Sequence, residues 1–212
     1  MRATASEAAE SLLAAGLAEL GLGIDSLLRE QLLALTGLLE RWGQRINLSG
    51  HRSAEEIIRR LILDALAIST LLPSDLRSLA DLGSGAGFPG LPIALSRPEA
   101  RILLVESRER RHHFQRAVIR ELGLENVRAI RGRIEELAPI PVHVAIAQAV
   151  AAPAKVIAAM LPWVEPGGYL IIPGSETPPD PGPQPQVQAC EIRRYRVPCG
   201  GPERTLWIGH SH

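Results

Sequence analysis

Residues 81–95 read "DLGSGAGFPGLPIAL" and place four glycines and two prolines between a short apolar run and a helix-like segment. Glycine lets a backbone approach a ligand closely, so this turn suits three ligands: a dinucleotide, a nucleoside triphosphate or S-adenosylmethionine. Proline is tolerated in the first turn of a helix but not in its interior, which predicts a helix that begins near Pro89 and is stopped by Pro98. The stretch therefore predicts a strand, a ligand-binding turn and a helix.

The segments that follow the turn alternate between apolar runs and helix-like stretches. The apolar runs are "SLADLG", "ARILLVES", "NVRAIRG", "HVAIAQAV" and "GGYLIIPG", with helix-like segments at residues 108–122 and 152–161. Continuous apolar strands separated by helices are typical of a parallel sheet that is covered on both faces. A proline-rich loop at 177–187 precedes two further strand-like runs, which we expect to finish the sheet in antiparallel fashion.

The region before the turn is helical in pattern. Leucines recur at helical spacing after a possible Asp25 cap, and a third amphipathic stretch starts at Ser53 with Glu56 three positions later, the spacing of a capping box. We therefore predict an N-terminal helical extension over residues 1–72, packed on an α/β core over residues 73–212.

Composition limits the class of protein. The chain has 212 residues, no net charge and 46% hydrophobic residues, which fits a globular protein and argues against a chain that coats nucleic acid non-specifically. Two cysteines and no signal-like or membrane-spanning run predict a reducing, cytoplasmic compartment without membrane association. Nine arginines against four glutamates between residues 101 and 133 form either a solvated helix face or a phosphate-binding surface.

The choice among the three ligands depends on what surrounds the glycines. A nucleoside triphosphate loop needs a lysine and a hydroxyl residue after its last glycine, whereas Gly90 is followed by Leu91. A dinucleotide fingerprint is formally present, and this alternative stays open. The stretch can also be read as an acid at a strand end followed by alternating glycines. In this reading a second acid ends the next strand, and an Ile-Glu pair follows the third strand. This reading favours S-adenosylmethionine, bound by Asp81, Gly83, Gly85, Gly87, Glu106, Ile134 and Glu135.

The chain also resembles a known family, the small-subunit ribosomal RNA methyltransferase G proteins, also called glucose-inhibited division protein B. "RWGQRINLSGHRS" is similar to that family's W-x-x-x-x-N-L-[ST]-x-x-R segment, and the glycine turn with its two prolines, "RPEARILLVESRERRHHF" and "ERTLWI" also match. The resemblance implies a Rossmann-like class I methyltransferase fold. It also implies transfer of a methyl group from S-adenosylmethionine to N7 of a guanine in the decoding region of 16S ribosomal RNA, with rRNA or the small subunit as partner.

The resemblance implies roles for further residues. Phe88 and Gln148 are expected to contact the cofactor, and Asn47, Arg52 and Arg60 to lie toward the RNA, where a basic helix face with Arg110 and Arg111 is also predicted to bind phosphates. No catalytic base, metal site or obligate protein partner is predicted. Adjacent histidines on a helix point in different directions, so His112 and His113 do not form a metal pair.

Several positions depart from the family pattern. Leu61 stands where the family has a histidine, and His143 stands where the family has an acid at the start of the fourth strand. Gln148 and Pro173 stand where the family has cationic residues, and both are expected at the mouth where guanine enters. The alternative function is therefore a noncatalytic relative that binds S-adenosylmethionine or the small subunit.

Overall fold

A computed structural model describes residues 6–22, 26–44, 48, 50–51, 53–148 and 153–212 of the chain. Within these residues, seven strands form one sheet in the order β3-β2-β1-β4-β5-β7-β6. The strands are β1 Ser78–Leu82, β2 Arg101–Glu106, β3 Val127–Arg131, β4 Val142–Ile146, β5 Val164–Gly174, β6 Val187–Arg196 and β7 Glu203–Ser211. The first five run parallel, and β7 and β6 complete the sheet in antiparallel pairing.

The helices lie before and between the strands. They are α1 Glu7–Glu19, α2 Ser26–Gly43, α3 Ala54–Ile57, α4 Leu63–Leu71, α5 Gly90–Ser96, α6 Glu109–Leu122 and α7 Pro153–Met160. A π-helical segment, Ile58–Ile62, joins α3 to α4, and a short 3₁₀ turn, Leu161–Trp163, follows α7. None of the helices in the described part of the chain is long and apolar enough to cross a membrane.

Alternate strand residues face two different hydrophobic clusters. Leu79 and Ile102 pack in a cluster with the N-terminal helices, α5 and α6, whereas Ala80 and Leu103 pack on the opposite face with α7 and Trp163. Because both faces are covered, the central parallel strands are mostly apolar, and all five residues of β1 are buried. The α/β class with a mostly parallel, doubly covered sheet is therefore confirmed.

The N-terminal helices share one core with the sheet. Leucines of α1 and α2 belong to the same buried cluster as β1 and α6, and the rings of Trp42 and Phe114 meet edge to face with centroids 5.6 Å apart. Ser53 caps α3 as predicted, its Oγ accepting a hydrogen bond from Glu56 N at 3.2 Å. The continuous helix expected after Ser53 is instead interrupted by the π-helical segment. Asp25 lies outside the described residues, and the boundary at residue 72 stays a prediction.

Strand order reverses beside β1. Its neighbours are β2 on one side and β4 on the other, so the connections leaving β1 and β4 run in opposite directions across the sheet. In open α/β sheets this reversal leaves a crevice outside the carboxyl ends of the strands, where ligands bind. The predicted cofactor residues are therefore expected at the carboxyl end of β1.

Candidate cofactor site

The glycine turn leaves β1 at this crevice and adopts a conformation that side chains would oppose. Gly83, Gly85 and Gly87 have φ of 77°, 58° and 85°, in the left-handed region that favours glycine. Space is also restricted, because a Cβ on Gly87 would lie 2.3 Å from Leu91 Cδ1, and one on Gly90 would lie 2.9 Å from Asp81 Oδ2. The glycines thus leave a bare backbone directly above β1.

The turn is tied to the adjacent strand through one carbonyl group. Val105 O, near the end of β2, accepts hydrogen bonds from Gly83 N at 2.9 Å and Ser84 N at 3.0 Å. Ser84 O in turn accepts from Gly87 N at 2.7 Å and Phe88 N at 3.0 Å. The conformation of the turn is therefore fixed from β2, the strand that also ends in the second predicted acid.

Asp81 lies under the turn and is almost completely buried, with 1% of its surface exposed. Its Oδ2 accepts a hydrogen bond from Gly90 N at 2.8 Å, which anchors the start of α5. Burial raises the pKa of Asp81 to about 7, the Gly90 N–H opposes that rise, and the charge of nearby Glu106 adds to it. No cation among the described residues therefore compensates this carboxylate.

Glu106 closes β2 and is also buried. Its Oε1 accepts a hydrogen bond at 2.7 Å from the backbone N–H of Arg108, the N-cap residue of α6. Its Oε2 lies 3.8 Å from Arg111 Nη1. Glu106 therefore supports the start of α6, and its second oxygen faces the cleft side chain Arg111.

The two arginines predicted to bind RNA lie in different surroundings. Arg110 is exposed, whereas the guanidinium of Arg111 extends back toward Glu106 and lies 3.7 Å from where a Cβ on Gly85 would be. Arg111 thus belongs with the glycine turn and its acids, and Arg110 belongs to the outer face of α6. Their adjacency in sequence hides this difference, because neighbours on a helix point about 100° apart.

The remaining predicted cofactor residues lie around the same end of the sheet. Ile134 is buried in the cluster that includes Leu82, next to exposed Glu135. Gln148 is exposed just beyond the end of β4. Phe88 is partly buried against the core at the end of the turn. The turn, the ends of β1, β2 and β4 and the segment after β3 are therefore brought to one edge of the sheet.

Two of the predicted RNA-side residues, Asn47 and Arg52, lie outside the described residues. Arg60 is exposed on the π-helical segment. Arg59, beside it, turns inward, and its Nη1 donates to Cys199 O at 2.7 Å. Arg60 is thus left facing solvent next to the junction between the helices and the β6–β7 turn.

Pro173 is the penultimate residue of β5, at the carboxyl end where the sequence predicts it. Pro173 is buried within β5 and pairs with Leu206 of β7, beyond the last registered pair between β4 and β5, Ile146 and Ile171. Proline has no N–H, and it is tolerated there because the hydrogen-bonded pairing of β5 with β4 has already ended. Gln148 is therefore the exposed candidate for a substrate contact at the mouth, and a role for Pro173 there stays a prediction.

The other two departures from the family pattern lie away from the glycine turn. His143 is buried at the amino end of β4, its ring edge-on to Tyr169 with centroids 5.4 Å apart. Leu61 is partly buried on the π-helical segment against the core. A cavity of about 290 Å³, lined by residues that include Ser78, Arg101 and Val142, also lies at the amino edge of the sheet and is not this site.

Sequence reasoning missed two buried groups around this edge. Gln115 of α6 contacts the glycine turn, although a glutamine in an amphipathic helix is typical of an ordinary surface position. Asp64 of α4 accepts a hydrogen bond from Tyr195 OH at 2.7 Å and lies 3.9 Å from Arg204 Nε. Asp64 lies in the segment "RLILDA", which resembles the family's R-H-I-L-D-S pattern, and an acid in the middle of an apolar helix predicts a partner but not its identity.

The arrangement favours a ligand that carries both positive charge and hydroxyl groups. Two buried carboxylates close neighbouring strands beside a bare glycine turn, and Arg111 partly balances one of them. A dinucleotide pyrophosphate at the turn would meet the negative charge of Asp81, whereas the sulfonium and ammonium groups of S-adenosylmethionine would offset it. The residues present therefore fit S-adenosylmethionine better than a dinucleotide.

Comparison with known proteins agrees with this assignment. A family model described as rRNA small subunit methyltransferase G matches residues 28–191. The ribosomal RNA small subunit methyltransferase G of Chromohalobacter salexigens is 34% identical over 207 residues, covering 94% of this chain and 96% of that protein. The corresponding protein of Neisseria meningitidis serogroup A is 35% identical over 159 residues, covering 74% and 75%.

Solved structures of low sequence identity share the fold. A SAM-dependent methyltransferase from Aquifex aeolicus is 16% identical with a TM-score of 0.54, covering 73% of this chain and 92% of that one. TYW2 of M. jannaschii, crystallised with AdoMet, is 12% identical with a TM-score of 0.54, covering 71% and 75%. At these identities the likeness concerns the fold alone, which is that of methyltransferases.

Proposed function

This chain belongs to the rRNA small subunit methyltransferase G family, and we propose that it transfers a methyl group from S-adenosylmethionine to N7 of a guanine in the decoding region of 16S ribosomal RNA. The observation that carries the cofactor assignment is the pair of buried carboxylates, Asp81 and Glu106, beside a glycine turn with three left-handed residues. A substrate of this kind implies that the protein acts in the cytoplasm.

The residues at the carboxyl edge divide the cofactor between them. Asp81 and the turn at Gly83, Gly85 and Gly87 hold the methionine end, where backbone groups and a carboxylate suit an amino acid. Glu106 accepts hydrogen bonds from the ribose hydroxyls through the oxygen that faces Arg111. The adenine lies against Ile134, with Glu135, Phe88 and Gln148 at its margins.

The chemistry asks the protein chiefly to orient the reactants. S-adenosylmethionine, when bound, supplies a methyl group on a positively charged sulfur that needs no further activation. Guanine N7 carries a free lone pair, so no side chain has to remove a proton from it. In the proposal, Gln148, which is exposed beyond β4, hydrogen-bonds the entering base and so holds N7 in line with the methyl group.

The RNA side of the site is basic. Arg110 and its exposed neighbours on α6 present guanidinium groups beside the cofactor edge, and Arg60 lies on the π-helical segment. Asn47 and Arg52 complete this side in the proposal. Arginine forks suit phosphate oxygens, and such contacts position RNA without reading its sequence.

Methyl transfer to small subunits that lack the modification tests the proposal directly. Labelled S-adenosylmethionine is expected to mark 16S rRNA, and chemical cleavage at N7-methylguanine is expected to find one site in the decoding region. Gln148→Arg restores the charged donor that the family pattern carries at this position. It is expected to raise the rate about tenfold if one charge-assisted contact is regained in the transition state.

The second candidate, a noncatalytic relative, is favoured by the single observation that no cation of the family's pattern remains at Gln148 or Pro173. It predicts binding of S-adenosylmethionine or of the small subunit without transfer by the native protein or by Gln148→Arg. A protein that binds neither S-adenosylmethionine nor the small subunit contradicts both candidates.

A further inference from the structure

A buried polar side chain holds the glycine turn from the side of α6. Gln115 is completely buried between core residues of α6, Phe114 and Val118 among them. Its Nε2 donates to Ser84 Oγ at 2.8 Å and to Gly85 O at 2.9 Å. A side chain 30 residues away in sequence thus contacts two consecutive residues in the middle of the turn.

These contacts continue into the strand that carries the second acid. Ser84 Oγ donates to Val105 O at 3.2 Å, so hydrogen bonds run from α6 through the turn to the end of β2. Val105 is followed by Glu106, and Arg111, one helical turn before Gln115 on the same face of α6, lies 3.8 Å from the Glu106 carboxylate. One face of α6 therefore fixes both the glycine turn and its neighbouring acid.

Gln115 is not an obvious choice for stabilising this core. Its Oε1 is buried without a hydrogen-bond partner among the described residues, which is unfavourable compared with an aliphatic side chain of similar size. The amide group is useful at this position only through its Nε2, which holds the Gly85 carbonyl in one direction. The residue is thus suited to the conformation of the turn rather than to the stability of the fold.

We infer that Gln115 is a positioning residue for the cofactor: through the Ser84 hydroxyl and the Gly85 carbonyl it fixes the Gly85–Ala86 peptide of the turn in the orientation that binds the amino acid end of S-adenosylmethionine. This inference rests on the proposed function, because it assigns a role within the proposed cofactor site. Gln115 does not touch the cofactor and acts through the turn.

The test compares cofactor affinity with stability in matched variants. Gln115→Met keeps the length of the side chain and removes both hydrogen bonds together with the unpartnered oxygen. We expect it to bind S-adenosylhomocysteine about tenfold more weakly by titration calorimetry, with an unfolding temperature no lower than that of the native protein. Val118→Ala, a core truncation on the same helix, is the control and should lower the unfolding temperature while leaving affinity unchanged.

Ser84→Ala and the double variant sharpen the result. Ser84→Ala breaks the same chain of hydrogen bonds. The double variant should therefore bind S-adenosylhomocysteine no more weakly than the single variant that has the lower affinity. The KM for S-adenosylmethionine should rise in these variants while the KM for the small subunit stays constant.

Native affinity in both Gln115→Met and Ser84→Ala overturns the inference. If Gln115→Met does not fold, Ser84→Ala decides alone: weaker binding supports the inference and native affinity overturns it. Failure of the native protein to bind either ligand overturns the proposed function instead.

Discussion

Two buried aspartates, Asp64 and Asp81, differ in what surrounds their charge. Asp64 accepts a hydrogen bond from Tyr195 and faces Arg204, two residues that are cross-strand partners on β6 and β7. Asp81 has one backbone donor and the like charge of Glu106 nearby. Burial raises the pKa of both, but at Asp64 the tyrosine and the arginine oppose the rise. A buried carboxylate whose charge is compensated by other side chains stabilises the fold. One whose charge is left uncompensated is available to bind a ligand.

The largest effect should come from breaking the compensated site. Asp64→Ala leaves a buried tyrosine hydroxyl and the partly buried Arg204 without their carboxylate, and should lower the free energy of unfolding by about 2–4 kcal/mol. Affinity for S-adenosylmethionine should stay within about twofold, since Asp64 contacts Tyr195 and Arg204 rather than the glycine turn or its acids. Urea unfolding and calorimetry measure the two quantities. A large loss of affinity with unchanged stability would reverse the assignment.

The complementary change at Asp81 should give the opposite signature. Asp81→Asn keeps an oxygen for Gly90 N–H but removes the charge that a cationic cofactor would offset. At pH 8 we expect affinity to fall about 10- to 100-fold, or about 1.4–2.7 kcal/mol, with no loss of stability. Equal affinity of the native protein and the variant would show that Asp81 serves only to anchor α5.

The pH dependence follows from the direction of the Asp81 shift. Its pKa is about 7 in the folded protein and 3.8 as the ordinary value, so between these values the folded state holds a proton that the unfolded state has lost. The stability from this group is fully present below about pH 4 and is lost as pH rises through about 7. Cofactor affinity should rise over the upper part of this range, because the cation prefers the ionised acid.

Asp81→Asn is the control for that profile. It should flatten both the affinity and the stability curves between about pH 5 and 8 relative to the native protein. Calorimetric titrations and urea unfolding at a series of pH values measure the two curves. A slope that persists unchanged in the variant would assign the titration to another group.

The smallest effects should separate Arg110 from Arg111, because Arg110 is exposed whereas Arg111 faces the buried carboxylate of Glu106. Arg110→Glu should weaken RNA association and reduce the magnitude of its log–log salt slope by about one for each phosphate that the arginine binds, with cofactor affinity unchanged. Arg111→Glu should weaken cofactor binding, because it removes the guanidinium that faces Glu106 and places a like charge there, which repels the Glu106 carboxylate from its position. Filter binding at several salt concentrations and calorimetry measure the two effects. Identical behaviour of the two variants would remove the distinction.

The sequence predicts the parts of the site that lie close together along the chain. The glycine turn, the acid at each of two strand ends and the helix that begins after Pro89 are all visible as local patterns, and the structure has them in that arrangement. An acid at the position of Glu106 is expected either to bind ribose or to cap the next helix, and its hydrogen bond to Arg108 N shows that it supports the start of α6. The ribose contact stays a prediction.

Residues whose role depends on a distant partner are not predictable in this way. The sequence predicts Pro173 at the end of the fifth strand, but that its side chain is buried there depends on how the sheet packs. The sequence groups Arg111 with Arg110, because helical charge patterns do not say which arginine folds back over an acid. The π-helical segment also has no sequence signal, since its residues fit the pattern of a regular helix.

The amino-acid sequence by itself determined the order of strands and helices, the bare turn after β1 and the family, because these depend on side-chain periodicity and on residues within one segment. The tertiary structure decided which charges are compensated. Asp64 meets Tyr195 across 131 positions and Gln115 meets Gly85 across 30, and such contacts exist only once helices and strands have packed. Burial gives these polar groups their importance, since an unpaired charge or amide matters little in water and much in a core.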